Sequence, residues 1–143
     1  MLAMVIPLMA IDPQTVSDTA TITNSGSTNR PGFRIIIDRS GAAELTTAPR
    51  KFGPPEMRQQ PDPIQKTLPR ATVDRFFADL ASAKPLASLA AAHCMKSVSF
   101  GSTLTVALGG EQTPDLSCGD GGNAAMRDLI RDANEIVALL QAK

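Results

Sequence analysis

The sequence predicts an α+β domain: an antiparallel sheet of about five strands with two amphipathic helices packed on one face. Three observations predict it. Apolar residues alternate with period two in two separate stretches, they form one-sided helical stripes in two others, and Gly, Asn, Ser and Pro punctuate the junctions. At 143 residues the chain has the size of one domain, divided into an apolar N-terminal segment over 1–18 and a domain over 19–143.

The first alternation runs through residues 19–47. Ala20 and Ile22 share one face of a strand, and Phe33, Ile35 and Ile37 share one face of the next. Ile36 breaks the pattern, so it either meets a second layer or stays partly exposed. "NSGSTNRPG" separates the two strands with residues that accept positive φ or preset a turn, and "DRSG" makes a tight turn ending on Gly41 before a short third strand.

Residues 48–69 hold six of the eleven prolines. Proline cannot donate to a ladder or sit inside a helix, so an irregular or polyproline-like surface segment, either functional or poorly ordered, is expected there. "TVDRFFADLASAK" then sets Val73, Phe76, Phe77 and Leu80 at i, i+3, i+4 and i+7, with Thr72 or the Pro69 turn to start the helix and Pro85 to end it. A short turn follows in "PLASLAAA".

"KSVSFG" and "STLTVALGG" alternate again, with Gly101 marking either a second hairpin or a bulge and Gly109 with Gly110 marking the next turn. The last helix places Met126, Leu129, Ile130, Ala133, Val137 and Leu140 on one side, with Asp120 or Asn123 as N-cap.

Composition narrows the functional classes. Fourteen basic and fourteen acidic residues cancel, which removes the electrostatic case for a nucleic-acid partner, and the lack of Trp and Tyr argues against base-stacking surfaces or aromatic sugar platforms. Charge is nonetheless uneven: residues 30–70 hold eight Lys or Arg against four acids, an excess of four. That excess suits either an anionic partner or a solvated loop. "MLAMVIPLMA" is too short to span a bilayer and has the length of an export-signal core, yet no basic residue precedes it; the remnant of a signal and an apolar segment packed on the domain are both open.

Cys94 and Cys118 are the chain's only cysteines, with 23 residues between them. Zinc needs four ligands and only His93 could join them; a redox pair wants C-x-x-C; and His93, adjacent in sequence, is poorly placed to activate Cys94 as a nucleophile. A structural disulfide remains, which directs the protein to an oxidising compartment, periplasmic or extracellular. Two reduced cysteines in a cytosolic protein are the alternative.

The candidate binding surface comprises Lys96, Ser97, Ser99, Thr113, Asp115 and Ser117, around the cysteines. Lys96 with Ser99 and Asp115 could form a hydrolase site, although no S-x-x-K or G-x-S-x-G motif is present. Asp115, Asp120 and Asn123 do not follow calcium-loop spacing, and "GDGG" lacks the phosphate-loop pattern, so no metal or cofactor is expected.

"GFRIIIDRSGAAEL", "TVDRFFADL", "TLTVALGGEQTPDL" and "MRDLIRDANEIVALL" together resemble, in order and spacing over residues 30–141, a family of uncharacterised bacterial secreted domains. The resemblance implies a shared architecture and an envelope location, and it carries over no catalytic residue. The expected function is a small exported, non-enzymatic domain that binds a protein or envelope component through its sheet face and proline loop. A secreted enzyme inhibitor inserting residues 113–117, or the hydrolase above, are the alternatives.

Overall fold

Among the described residues, six strands form one antiparallel sheet in the order β4-β3-β2-β1-β5-β6. They are β1 Thr19–Asn24, β2 Phe33–Asp38, β3 Ala42–Thr47, β4 Ile64–Thr67, β5 Leu104–Leu108 and β6 Glu111–Gln112, with helices α1 Arg70–Ala83 and α2 Ala124–Gln141. The structure is a computed structural model and describes residues 18–90, 92–97 and 101–143. The expected N-terminal apolar segment up to residue 17 lies outside the described residues, as do Val98, Ser99 and Phe100.

Alternation sorts the strands as expected. Ala20, Ile22, Ile35, Ile37, Ala43, Leu45, Val106 and Leu108 are buried, whereas Thr19, Thr23, Arg34 and Ile36 are exposed on the opposite face. Both helices cover the buried face: Val73, Phe76, Phe77 and Leu80 of α1 and Met126, Leu129, Ala133, Ile136 and Leu140 of α2 join the same core cluster. Each large aliphatic or aromatic side chain enclosed this way contributes about 1.5–3 kcal/mol relative to exposure. The core is aliphatic around one aromatic pair, Phe76 and Phe77, whose rings meet edge to face 5.6 Å apart. The guanidinium of Arg39 lies 4.5 Å above the Phe77 ring.

The β2–β3 turn shows how local sequence fixes a fold. Asp38 Oδ1 accepts from the backbone N–H of Ser40 at 2.9 Å and from the Ser40 hydroxyl, and the Gly41 N–H donates to the Asp38 carbonyl at 3.0 Å. These bonds draw the Asp38 carboxyl below its ordinary range, the Ser40 hydroxyl foremost. Gly41 has φ +98°, and a Cβ there would stand 3.1 Å from the Leu68 carbonyl oxygen, so both conformation and space demand glycine.

Several expectations are corrected. Residues 48–69 contain a 3-10 turn at Pro55–Met57 and the strand β4, which pairs antiparallel with β3 through Leu45 and Ile64. A strand fits between Pro63 and Pro69 because β4 is at the sheet edge, where one side of its backbone needs no ladder partner. Residues 92–97 form no strand, the expected strand residues 98–100 lie outside the described residues, and the hairpin that the structure describes here is β5–β6, turning at Gly109 and Gly110. Of the two expected starts of α1, the Pro69 turn serves: the helix begins at Arg70, and Thr72 is inside it and buried. Of the two N-cap candidates for α2, Asn123 serves: its Oδ1 accepts from the Met126 N–H at 3.1 Å. The buried side of α2 is turned slightly from the expected stripe, enclosing Ile136 and Asp132 while Ile130 and Val137 are half-buried.

Candidate functional site

The disulfide corner gathers most of the residues singled out in the sequence. Cys94 and Cys118 are joined, with Cα atoms 5.4 Å apart. Beside them, Lys96 Nζ donates to Asp115 Oδ2, to the Ser117 hydroxyl and, at 2.7 Å, to the Ser102 carbonyl. Asp115 Oδ1 accepts from the N–H groups of Leu104 and Ser117, each at 2.9 Å. Burial pushes the Asp115 carboxyl up, but the Lys96 ammonium and these N–H donors outweigh it and hold the group at about 2. Thr113 is buried, its Oγ1 accepting from the Val106 N–H at 3.0 Å, and so belongs to the core-facing side of the loop. Ser97 is exposed, and its carbonyl accepts from the Gly101 N–H.

The chemistry of this corner is that of a fastening. An ammonium donating three hydrogen bonds, one of them to a carboxylate, has no lone pair with which to take a proton from serine. The neighbouring "GDGG" turn is likewise occupied internally: Asp120 Oδ1 accepts from the Gly122 N–H at 2.8 Å, and Asp120 Oδ2 pairs with Arg127 at 2.9 Å.

A second polar cluster, not singled out in the sequence, lies between the helices. Asp132 is fully enclosed; its Oδ1 accepts from Arg75 Nε at 2.9 Å and from Arg131 at 3.3 Å, while its Oδ2 has no partner among the described residues. Arg75 also reaches Glu135, which accepts from Thr72 Oγ1 at 3.1 Å, and Arg131 donates to Asp79 at 3.2 Å. A hydrogen bond to Asp132, burial, and the charges of Asp132 and Asp128 push the Asp79 carboxyl up to about 6, against the pull of Arg131. Below about pH 6, where the Asp79 carboxyl takes up a proton, it becomes a donor beside Asp132, whose Oδ2 is otherwise without a partner among the described residues. The sequence signal was available: Asp132 falls between Leu129 and Ala133 on the apolar side of α2.

The loop end of the molecule is different in character. All fourteen Lys and Arg lie among the described residues. Arg39, Arg70, Arg75, Lys96, Arg127 and Arg131 form ion pairs, and Lys66 donates to the Leu139 and Ala142 carbonyls at the end of α2. Four of the eight that pair with no acid among the described residues, Arg30, Arg50, Lys51 and Arg58, sit on the β1–β2 loop and the proline loop. Arg30, Arg50 and Lys51 line a notch of about 290 Å³ between these loops, together with Phe52 and no acid. Phe52 and Met57 are 67% and 53% exposed. Beside the notch, and sharing Arg30, is a cleft of about 640 Å³ with an apolar floor of Phe33, Leu104 and Val137 under Asn24, Asn134 and Gln141.

On the helix-free face of the sheet, a groove of about 620 Å³ runs over β2, β3 and β4 beside Ile36, with Asp38 and Glu44 along it. Among the described residues, no group of three or more His, Cys, Asp or Glu side chains is placed to hold a metal ion. No helix among them is long and apolar enough to cross a membrane. No protein-family profile, curated protein or solved structure matches the chain, so the fold and its surfaces stand on their own geometry.

Proposed function

We propose that the protein is a small exported binding domain, fastened by one disulfide, that engages a protein or envelope component through its proline loop and open sheet face. The observation that carries this reading is the contrast in charge placement. Of the ten cations outside the loop end, six are tied into ion pairs and Lys66 is bound to carbonyls at the end of α2, whereas the four at the loop end pair with no acid among the described residues and adjoin exposed Phe52 and Met57. Unpaired charge beside exposed apolar side chains is the signature of a contact surface. The disulfide fits an oxidising compartment.

The hydrolase alternative built on Lys96, Ser99 and Asp115 finds no support in a lysine whose three protons are all donated. The inhibitor alternative, with residues 113–117 as an inserted element, finds little in a loop whose Thr113 and Leu116 are buried.

A photo-crosslinking amino acid placed at Phe52, at Ile36 and, as control, at exposed Ser82 tests the reading in the native host. Adducts confined to Phe52 or Ile36, formed in the envelope fraction, are expected. Equal adducts at all three sites, or free Cys94 and Cys118 thiols in protein from that host, would overturn it.

A further inference from the structure

The loop end also indicates what is bound. We infer that the notch formed by Arg30, Arg50 and Lys51 seats the phosphate of an anionic phospholipid, with Phe52 and Met57 entering the bilayer interface beside it. This deepens the binding reading above and rests on it.

Charge complementarity is the first argument. Three cationic residues line one small concavity, none pairs with an acid among the described residues, and the acids of the same loop, Glu56 and Asp62, do not line it. Two arginines and a lysine match phosphate oxygens, the arginines through paired N–H groups. The volume of about 290 Å³ suits a headgroup and is small for a folded partner.

Shape is the second. Phe52, which lines the notch, and Met57 belong to a loop whose residues 48–65 are all exposed, and are themselves 67% and 53% exposed. Apolar side chains standing proud among cations fit a deformable anionic surface, where the rings enter the headgroup layer and the charges meet phosphate. A rigid acidic partner would need matching cavities instead. The β1–β2 loop is held in place to serve this role: the Ser27 N–H donates to the Arg30 carbonyl at 2.8 Å, and the Ala48 N–H to the Gly32 carbonyl at 2.8 Å, fixing the two loops against each other.

The chain contains no Trp or Tyr, so Phe52→Trp introduces a lone fluorophore at an exposed position. Its emission should shift to the blue with vesicles of phosphatidylcholine containing about one-third phosphatidylglycerol, should stay unchanged with phosphatidylcholine alone, and should revert near 0.5 M salt. The double variant Arg50→Gln/Lys51→Gln in the Phe52→Trp background should weaken vesicle binding about 25-fold, roughly fivefold per cation, with an unchanged melting curve. Lack of any shift, or equal shifts with both vesicle types, overturns the inference. So does retention of full affinity by the double variant, or inorganic phosphate binding at the notch without vesicle binding. A Phe52 crosslink to a protein with no vesicle binding removes the lipid while leaving the binding reading standing; failure of both assays removes both.

Discussion

Lys96 and Asp115 are joined across the same two segments that the Cys94–Cys118 disulfide joins, so a covalent bond and an ion pair close one loop in parallel. They differ in what they resist. The disulfide restricts the unfolded chain, whereas the ion pair and its N–H partners hold the corner only once it has folded.

Replacing both cysteines by serine should therefore cost about 3 kcal/mol of global stability in urea unfolding, the value expected for closing a loop of this length. The corner itself should persist in the double variant. Protection of the Leu104 and Ser117 amides, both bonded to Asp115, should fall no further than the global loss; selective loss of their protection would contradict this.

Stability should pass through a maximum at about pH 4–5. Asp79 is raised to about 6 in the fold from an ordinary 3.8, so the folded state binds the extra proton; its contribution is complete below about pH 4 and is lost as pH rises through 6. Asp115, held at about 2, contributes above 3.8 and loses that contribution as pH falls through 2. Asp79→Asn should stabilise the protein at pH 7 by about 1–3 kcal/mol and flatten the profile between pH 4.5 and 7. Urea melts at the two pH values measure this, and an unchanged slope in the variant would refute it.

Lys66→Met should loosen the end of α2. Its ammonium sits on the Leu139 carbonyl at 3.0 Å and the Ala142 carbonyl at 2.6 Å, where the helix carries its partial negative charge. A loss of about 1 kcal/mol is expected, with faster hydrogen exchange in the last turn of α2. Unaltered exchange there would show that the lysine contributes nothing.

Asn123→Ala should cost about 1 kcal/mol by orphaning the Met126 N–H, and Asn123→Asp should restore most of it. Asp120→Ala should spare the cap, because that carboxylate serves the Gly122 N–H and Arg127. Thermal melts of the three variants separate these roles.

What the sequence disclosed was whatever local periodicity or turn chemistry encodes. Ile35 and Ile37, the Asp38 to Gly41 turn, and the stripe from Val73 to Leu80 are each specified within a few residues. The disulfide could be reached by elimination because only two cysteines compete. β4 could not: its four residues are flanked by prolines, and only the adjacent β3 edge makes them a strand. The turn at Gly109 and Gly110 is legible as local punctuation, but that Glu111 and Gln112 pair back onto β5 depends on contacts beyond the turn itself. The polar seam of Arg75, Asp132 and Glu135 depends on two helices meeting so that residues 57 positions apart, Arg75 and Asp132, come into contact. The cationic excess of residues 30–70 was visible as a number, but its convergence on one notch needed the β1–β2 loop brought against the proline loop.

Both borders of the sheet are stunted. On one side β4 offers four residues between Pro63 and Pro69, and its Lys66 side chain is already committed to α2; on the other, β6 offers two. A foreign strand seeking to extend the ladder finds little backbone to register against, so neighbouring molecules crowded together are denied the edge-to-edge growth from which fibrils start.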